Sequence, residues 1–515
     1  MDISFYLLIL LTLAIATLIT TVLHRRKPTT TTNLPPGPSL FSSNLLILNH
    51  SLSDLEPFIK TFVSKYGPLV TLFIGSRPSI FVSDHSLAHQ ILVQKGAVFS
   101  DRPRTLAIRN ISSSAYGPTW RLLRRNLATE VLHPSRVKSY SWARKWVLGV
   151  LVGRLRGAAG GVIEVVEHFR YAMFCLLVVM CFGEKLDERR IEEIAAVQRR
   201  LLLLVGSGRF TVLGIFPKLG KVLFRNRWKE LLQIRSDQEQ VLIPHIKSRI
   251  EKANSEGEDD QFVAYVDSLI NLHLPEVETT AGNGGKLTDQ EMVSLCGEFL
   301  NAGTDTTSTS LQWIMANLVK NPQIQSKLYN EIVSVVGPPP PPPAEELEST
   351  INEEDLAKMP YLKAVVLEGL RRHPPGHFVL PHRVTKEVEV EGYKIPEGAT
   401  INFLVAEMGW DPKVWEDPLE FKPERFLMNK DDVINGVFDV SGSKGIKMMP
   451  FGAGRRICPG SDLALLHLEY FVANLIWLFR WDAVDGYGVD LSEKSEFTIV
   501  MKNPLRTRII PRAEK

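Results

Sequence analysis

Cysteine is scarce in this chain of 515 residues, where only Cys175, Cys181, Cys296 and Cys458 occur. No two of them form a C-x-x-C pair, so neither a disulfide framework nor a zinc site is predicted. An excess of one charge is also missing, because 60 basic residues face 57 acidic ones and leave a net charge of +3. This balance argues against nucleic acid as a main partner. Internal repeats are absent too, which favours one large main domain.

Charge is locally absent near the N-terminus. Residues 3–23 carry no charged side chain and form a run close to the ~20 residues that cross a bilayer as a helix. Arg25, Arg26 and Lys27 follow directly, and no small-residue cleavage site is seen. The positive-inside tendency places these cations and the rest of the chain in the cytosol. We predict a single-pass signal anchor in the endoplasmic reticulum membrane over residues 1–24, a basic and proline-rich hinge over 25–38, and the main domain over 39–515; the alternative is a buried core helix.

Cys458 lies in a glycine-rich segment, residues 451–460, which reads FGAGRRICPG. A thiolate can ligate haem iron, and a thiolate ligand favours cleavage of the O–O bond. Gly452, Gly454 and Gly460 permit torsions and close approaches that other residues resist. A free cysteine is more often a small buried hydrophobe, so the surroundings carry the argument. The segment does not match a dinucleotide fingerprint, because Ile457 occupies the third glycine position.

The longest predicted helix begins at a capping box formed by Thr288 and Glu291 and should end before the next Asn-Pro pair. Its middle, residues 302–310, reads AGTDTTSTS and holds mostly poor helix formers. Hydroxyls there can capture backbone carbonyls and open the helical ladder. Asp305 and Thr306 would then stand beside a groove, as an acid and a hydroxyl able to pass protons to oxygen. The alternative is a polar kink that faces solvent.

Two segments resemble signatures of the cytochrome P450 family. Residues 451–460 are similar to its haem-binding loop, F-x-x-G-x-R-x-C-x-G, and residues 302–307 to its oxygen-binding helix, A-G-x-D-T-T. The likeness covers nearly the whole chain and points to the plant microsomal, A-type group, family 89, subfamily A. It implies a mainly α fold with small β-sheets, preceded by one transmembrane helix, and a haem b cofactor. The cofactor-binding residues implied in these two segments are Cys458, the axial ligand of the iron, with Phe451, Gly452, Gly460 and Ala302.

The resemblance also implies a set of side chains that contact the haem propionates. Trp120 and Arg124 fit the W-x-x-x-R helix of the family, and Arg456 is a second such contact. Arg102 and His382 are further candidates. Arginine suits carboxylates because its planar fork binds them through two hydrogen bonds, although a lone arginine is usually a solvated surface residue.

Glu368 and Arg371 are three residues apart in a predicted helix and therefore share a face. An ordinary surface pair of this kind would contribute little to stability. Here the pair matches the E-x-x-R motif of the family, and Arg425 lies in the matching downstream P-E-R-F. The resemblance implies that the three form a buried network that locks the cysteine loop, which makes them structural residues.

The substrate pocket follows from the resemblance alone. Phe299, Phe378, Val379 and Ile499 fall in segments similar to the family's substrate-recognition regions. Their apolar character fits a ligand pocket, but ordinary core packing predicts the same composition. A mainly hydrophobic small-molecule substrate is all that these residues indicate.

The expected activity is that of a haem-thiolate monooxygenase, which inserts one atom of O2 into its substrate. By the resemblance, Thr306 orients the bound oxygen and Asp305 relays protons. The chain carries no flavin or nicotinamide fingerprint, so electrons from NADPH must arrive through a partner, which in this family is NADPH–cytochrome P450 reductase. The alternatives are an isomerase or dehydratase of the same fold that needs no reductase, and a non-catalytic haem-binding protein. Retention of Asp305 and Thr306 argues against both.

Overall fold

The computed structural model describes residues 33–49, 55–106, 108–157, 161–208, 210, 213, 217–255, 263–275, 285–340, 350–427, 433–434 and 437–512. The anchor predicted over residues 1–24 and most of the hinge lie outside these ranges. Within them, no helix combines the length and the apolar character needed to cross a membrane.

Helices dominate the described chain, as predicted. In chain order they are α1 (Leu40–Asn49), α2 (Glu56–Tyr66), α3 (His85–His89), α4 (Pro118–Glu130), α5 (Pro134–Ser139), α6 (Ser141–Arg156), α7 (Val166–Phe182), α8 (Glu188–Gly206), α9 (Pro217–Leu223), α10 (Arg225–Ser255), α11 (Tyr265–Ile270), α12 (Asp289–Lys320), α13 (Pro322–Val336), α14 (Glu353–Leu356), α15 (Pro360–Arg372), α16 (Val405–Gly409) and α17 (Ser461–Leu478). A π-helical turn, Gln90–Gln94, continues α3, and 3₁₀ turns cover Pro423–Phe426 and Gly454–Arg456.

The strands are short and form small sheets. They are β1 (Leu69–Ile74), β2 (Arg77–Val82), β3 (Val162–Glu164), β4 (His382–Arg383), β5 (Val388–Val390), β6 (Tyr393–Ile395), β7 (Thr400–Phe403), β8 (Val433–Ile434), β9 (Val437–Phe438), β10 (Phe479–Ala483), β11 (Glu493–Ser495), β12 (Ile499–Met501) and β13 (Arg506–Pro511). One sheet has the order β1-β2-β7-β4, with β2 and β7 parallel, and a second has the order β10-β13-β3. The pairs β5-β6, β8-β9 and β11-β12 are two-stranded.

The helix α12 begins where the sequence predicts. The backbone N–H of Glu291 donates to Thr288 Oγ1 at 3.2 Å, and the N–H of Thr288 donates to Glu291 Oε2 at 2.9 Å. The prediction that hydroxyls open the helical ladder is wrong, because α12 runs unbroken through residues 302–310. Thr306 Oγ1 does donate to the carbonyl of Ala302, at 2.7 Å. A carbonyl oxygen has two lone pairs, so it accepts this hydroxyl without releasing the helix.

The core is built around α12, which packs against α7, α10, α15 and α17. The helix α7 is buried on nearly all sides from Phe169 onward, which explains its almost continuous apolar sequence. Cys175, Cys181 and Cys296 are buried in this core, whereas Cys458 is only partly buried. Three of the four thiols are therefore packing residues, and Cys458 stands apart from them.

Packing between α12 and α15 requires a glycine. A Cβ added to Gly369 would lie 2.4 Å from Ile314 Cγ1, whereas a Cβ at Gly149 in α6 would meet nothing within 4 Å. We expect Gly369→Ala to destabilise the protein by about 1–3 kcal/mol through overpacking. Gly149→Ala should instead stabilise it by roughly 0.5–1 kcal/mol, since alanine loses less backbone entropy in a helix. Thermal and urea unfolding midpoints of both variants would check this, and equal shifts would contradict the packing argument.

Candidate functional site

The cysteine loop, residues 451–460, has a backbone that only glycine can supply at two positions. Gly452 and Gly454 have φ angles of +69° and +68°. A Cβ on Gly454 would also lie 2.0 Å from the carbonyl oxygen of Leu92, in the π-helical turn. Gly460 differs, because its φ of −98° is accessible to any residue and it serves as the N-cap of α17. The loop is closed by the N–H of Cys458, which donates to the carbonyl of Phe451 at 2.8 Å.

The Cys458 thiol lies beside a cation. Burial raises the pKa of Cys458, while the backbone N–H of Gly460 and the charge of Arg124 act to lower it. Arg124 is half-buried on α4, and burial lowers the pKa of its guanidinium. Within the described ranges, this guanidinium has no hydrogen-bonded or ion-paired acid. A partly buried arginine without an acidic partner suits a carboxylate supplied by a ligand.

Trp120 and Arg456 lie together, and both donate hydrogen bonds to backbone carbonyls. The single indole N–H of Trp120 donates to the carbonyl of Ile111 at 3.0 Å. The Arg456 guanidinium lies 4.2 Å from the centroid of the Trp120 ring. It donates to the carbonyls of Ser100 and Ser114, each at 2.7 Å. In this structure Trp120 therefore supports Arg456 through its ring, and its own donor is used by the backbone.

Arg102 and His382 lie next to Arg456. Arg102 donates to the carbonyls of Ser112 at 2.8 Å and Leu380 at 2.6 Å. Burial and the charge of Arg456 lower the pKa of Arg102 to about 9. Burial and the charge of Arg102 lower the pKa of His382 to about 3, so its imidazole is neutral. Burial lowers the pKa of Arg456 itself to about 10, and nearby Arg124 adds to this effect while Asp101 opposes it.

Arg102, Arg124 and Arg456 thus form a cluster of like charges beside the cysteine loop, which we call the arginine cluster. Like charges in a partly buried region repel one another, and an anion placed among them would relieve that repulsion. The carboxylates of a haem would provide such anions, and Cys458 would provide a sulfur ligand for its iron. The donor set of this region therefore fits haem.

Glu368, Arg371 and Arg425 lie in direct contact. Arg371 donates from Nε and Nη2 to the two carboxylate oxygens of Glu368 at 2.7 and 2.8 Å, and both side chains are fully buried. Arg425 Nε donates to Glu368 Oε1 at 3.1 Å. Arg371 also donates to the carbonyls of Gly409 at 2.6 Å and Pro418 at 2.8 Å.

A tryptophan connects this ion-pair network to the cysteine loop. The Arg371 guanidinium lies 5.4 Å from the centroid of the Trp415 ring. The indole N–H of Trp415 donates to the carbonyl of Lys447 at 3.2 Å, just before Phe451. The network is therefore one side chain away from the segment that leads into the loop.

Asp305 and Thr306 are neighbours with different partners. The Asp305 carboxylate accepts hydrogen bonds from Arg199 Nη1 at 2.6 Å and from the Thr498 hydroxyl at 2.7 Å. Arg199 also pairs with Glu496 at 2.5 Å. The sequence pattern did not reveal Arg199, Glu496 or Thr498, since each is more than a hundred residues from Asp305 and none belongs to a recognisable local motif.

A cavity of about 240 Å³ opens beside Asp305, between α7, α8 and α12. Its polar lining includes Gln198, Arg199, Asn301, Thr304 and Asp305, and none of its lining residues belongs to the cysteine loop. The Thr304 hydroxyl is buried without a hydrogen-bond partner in the described structure. The polar side chains in this otherwise mainly apolar lining can hydrogen-bond water.

Two of the predicted pocket residues lie in one segment beside the cysteine loop. Val379 packs close to Gly452, since a Cβ added there would lie 3.7 Å from Val379 Cγ1. The ring of Phe378 packs edge-on against Phe81 of β2, with centroids 6.2 Å apart. This segment therefore connects the cysteine loop to the sheet.

The other two predicted pocket residues are held by aromatic side chains. The carbonyl of Ile499 accepts a hydrogen bond from the indole N–H of Trp313 at 2.8 Å, which ties β12 to α12. The half-buried ring of Phe299 packs against Tyr265 of α11, with centroids 5.0 Å apart. Trp313 is a contact that the sequence pattern did not reveal.

Comparisons with known proteins agree with this geometry. The protein-family model described as "Cytochrome P450" matches residues 35–510. The chain is 50% identical over 497 residues to "Cytochrome P450 89A9" of Arabidopsis thaliana, covering 94% of both proteins. It is 32% identical to "Beta-amyrin 24-hydroxylase" of Glycine max, covering 93% of both. A solved zebra fish cytochrome P450 with progesterone superimposes with a TM-score of 0.72 at 22% identity, over 88% of this chain and 99% of that one.

The solved structure supports the fold, and the two plant proteins extend the similarity to the sequence along nearly the full chain. Residues of the cysteine loop and of the oxygen-helix motif fall inside the matched range. The resemblance to plant family 89 stated from the motifs is confirmed by the Arabidopsis relative. The chain belongs to the cytochrome P450 family and is a monooxygenase of that family.

Proposed function

We propose that this protein is a haem-thiolate monooxygenase that inserts one atom of O2 into a hydrophobic small molecule. The observation that carries the proposal is the position of Cys458, in a glycine-dependent loop beside the arginine cluster. Because the chain has no flavin or nicotinamide fingerprint, electrons from NADPH would come through NADPH–cytochrome P450 reductase. A signal anchor over residues 1–24 and a hinge over 25–38 would hold the catalytic domain, residues 39–515, on the cytosolic side of the endoplasmic reticulum membrane.

The haem supplies an iron that activates O2 when it is bound. Cys458 would ligate the iron through its thiolate, and the arginine cluster would hold the two propionates. Neutral His382 adds a hydrogen-bonding group beside these cations without adding charge. Trp120 would act by supporting Arg456, as its indole N–H is bonded to the backbone. Glu368, Arg371 and Arg425 would keep the loop in place through Trp415 and touch no reacting atom.

Proton delivery would depend on Asp305 and Thr306. The Thr306 hydroxyl points back to the carbonyl of Ala302 and can rotate toward a ligand while the helix stays intact. Asp305 lines the polar cavity, so water there could bring protons to its carboxylate. Arg199 and Thr498 hold the carboxylate in place until it passes a proton on. We propose this order of transfer, from the cavity to Asp305 and then toward Thr306.

Loss of the sulfur ligand tests the haem site. We expect the reduced wild-type protein with CO to show the red-shifted Soret band of thiolate ligation, and Cys458→Ala to lose it. Cys175→Ala is the matched control, because that thiol is buried in the core and its removal should cost only about 1 kcal/mol of stability. Retention of the band in Cys458→Ala would overturn the ligand assignment.

Removal of the Thr306 hydroxyl tests the proton path. With added reductase and NADPH, Thr306→Ala should form about tenfold less product per NADPH consumed, because proton delivery fails while electron input continues. Thr307→Ala, on the next residue of the same helix, should leave this ratio unchanged. Product and NADPH would be measured together in one assay. Equal coupling in both variants would remove the role of Thr306, and product formation without reductase would contradict the proposed reaction.

A further inference from the structure

A buried ion-pair cluster lies outside the residues discussed so far and is centred on His377. His377 Nδ1 lies 2.9 and 2.8 Å from the two carboxylate oxygens of Glu56, at the start of α2. His377 Nε2 lies 3.3 Å from Glu493 Oε2, at the start of β11. The imidazole is 7% exposed, so both of its nitrogens meet carboxylates away from bulk water. His377 thus connects Glu56, more than a hundred residues before it in the chain, with Glu493, more than a hundred residues after it.

The charged groups around His377 favour its imidazolium form. Burial would lower the pKa of His377, but Glu493 and Glu56 outweigh burial and raise it to about 9. The two histidines in turn hold the pKa of Glu493 at about 2, against the effect of burial. Burial lowers the pKa of His373 to about 4, which leaves that ring neutral, stacked 4.0 Å from Trp313.

Lys60 of α2 extends the cluster beyond Glu56 to a further carboxylate. Lys60 lies 3.0 Å from Glu56 and 2.9 Å from Glu407 of α16. Its ammonium also lies 4.8 Å from the centroid of the Trp410 ring, which packs edge-on against His377. Arg372 is a further nearby cation, and its charge interacts with His373 and with Glu493. The cations and carboxylates alternate, so removal of one of them takes a partner from each of its neighbours.

The His377 bridge joins the two segments that carry predicted pocket residues. Phe378 and Val379 directly follow His377, and Val379 packs beside Gly452 of the cysteine loop. Glu493 begins the β11-β12 hairpin, on which Ile499 pairs with Ser495. The backbone N–H of Ile499 donates to the carbonyl of Pro375 at 2.9 Å, which ties the hairpin to the same segment a second time.

Besides the backbone hydrogen bonds of Ile499 with Pro375 and Trp313, the hairpin is held at its first residue by the charge contacts of Glu493. Its strands have three residues each and pair only with one another, so the sheet does not extend to a larger one. Glu493 is the first residue of the hairpin, and the imidazolium of His377 and the ring of His373 are the partners that neutralise or bond its carboxylate. A partly buried carboxylate that loses its cation becomes costly and draws toward water. The hairpin would then move away from residues 377–379.

We propose that His377 is a positioning residue which, by bridging Glu493 and Glu56, fixes the distance between Val379 and Ile499 and thereby limits the size of molecule that reaches Cys458. The inference rests on the proposed haem site. His377 touches no reacting atom in this account and acts through the two segments that it connects.

Binding of two imidazole probes to the full-length haem protein tests this role. Free imidazole is small and reports access to the iron alone, whereas clotrimazole carries three aromatic rings and needs a wide pocket. Both are followed by the Soret shift. In Glu493→Gln we expect the Kd of clotrimazole to fall at least about fivefold while the Kd of imidazole is unchanged, because the charge pair that holds the hairpin to His377 is lost.

Matched variants separate positioning from general stability. His377→Gln should show the same change in the ratio of the two Kd values, and the double variant should show no further change, since both substitutions break one contact. Lys494→Gln, on the next residue of the hairpin, should leave the ratio unaltered. Glu56→Gln should lower the unfolding midpoint and change the ratio in the same direction but less, because His377 loses its tie to α2 while its contact with Glu493 persists.

The outcomes are distinguishable. The role of His377 would be overturned if Glu493→Gln showed the red-shifted Soret band but an unchanged ratio of the clotrimazole Kd to the imidazole Kd. A rise in that ratio would overturn it as well. The absence of that band in the wild-type protein would instead count against the proposed haem-thiolate function.

Alkaline pH offers an independent check on the wild-type protein. The pKa of His377 is raised from 6.5 to about 9, so its imidazolium stabilises the fold fully below pH 6.5 and this contribution is lost as the pH rises through about 9. We therefore expect the ratio of the clotrimazole Kd to the imidazole Kd to fall in the wild type as the pH rises through about 9. The same ratio should stay constant in His377→Gln. Parallel pH profiles for the two proteins would contradict the assignment.

Discussion

The buried pair of Glu368 and Arg371 is the interaction on which the rest of the structure depends. Both side chains have no exposure to solvent, and Arg371 satisfies its donors with the Glu368 carboxylate and with backbone carbonyls. Breaking a buried pair by removing one partner costs about 3–5 kcal/mol, because the remaining charge is left unpaired. Arg371 holds the carbonyl of Gly409, the last residue of α16, and that of Pro418 in the irregular chain that follows. Trp415 links this network to Lys447, in the segment that leads into the cysteine loop.

The arginine cluster shows the opposite arrangement of charge. Arg124 has no acidic partner among the described residues. Burial and the charge of Arg456 lower the pKa of Arg102, and burial and the charge of Arg124 lower that of Arg456. Such a group of charges is poorly satisfied by the protein alone and gains most from a bound dianion. The same type of residue thus stabilises the fold where its acid lies in the chain and creates a binding site where the acid must come from a ligand.

Much of this organisation is readable from the sequence because it is local. The capping box at Thr288, the shared helical face of Glu368 and Arg371, and the hairpin of β1 and β2 all depend on residues close together in the chain. β3 has only three residues and pairs with β13, so it offers no periodic pattern to detect. The helix α12 stays unbroken through its run of hydroxyl residues. Such a run therefore indicates additional hydrogen bonds to backbone carbonyls, as from Thr306 to Ala302, and not a break in the helix.

Long-range pairs of charges escape this kind of prediction. Arg199 pairs with Asp305, and Glu493 with His377, although the partners are far apart in the chain. The sequence alone gives no reason to choose these partners over any other arginine or glutamate. Glu493 is in the β11-β12 hairpin, and the Arg199–Asp305 pair contacts it, because Arg199 also pairs with Glu496 and Thr498 bonds Asp305. The hairpin is therefore attached at one end to the carboxylate proposed for proton transfer and at the other to His377. A change in hairpin position would act on the proposed pocket and on the Asp305 hydrogen bonds together. Under the two proposals above, one small element of structure would therefore couple the size of a bound molecule to the delivery of protons.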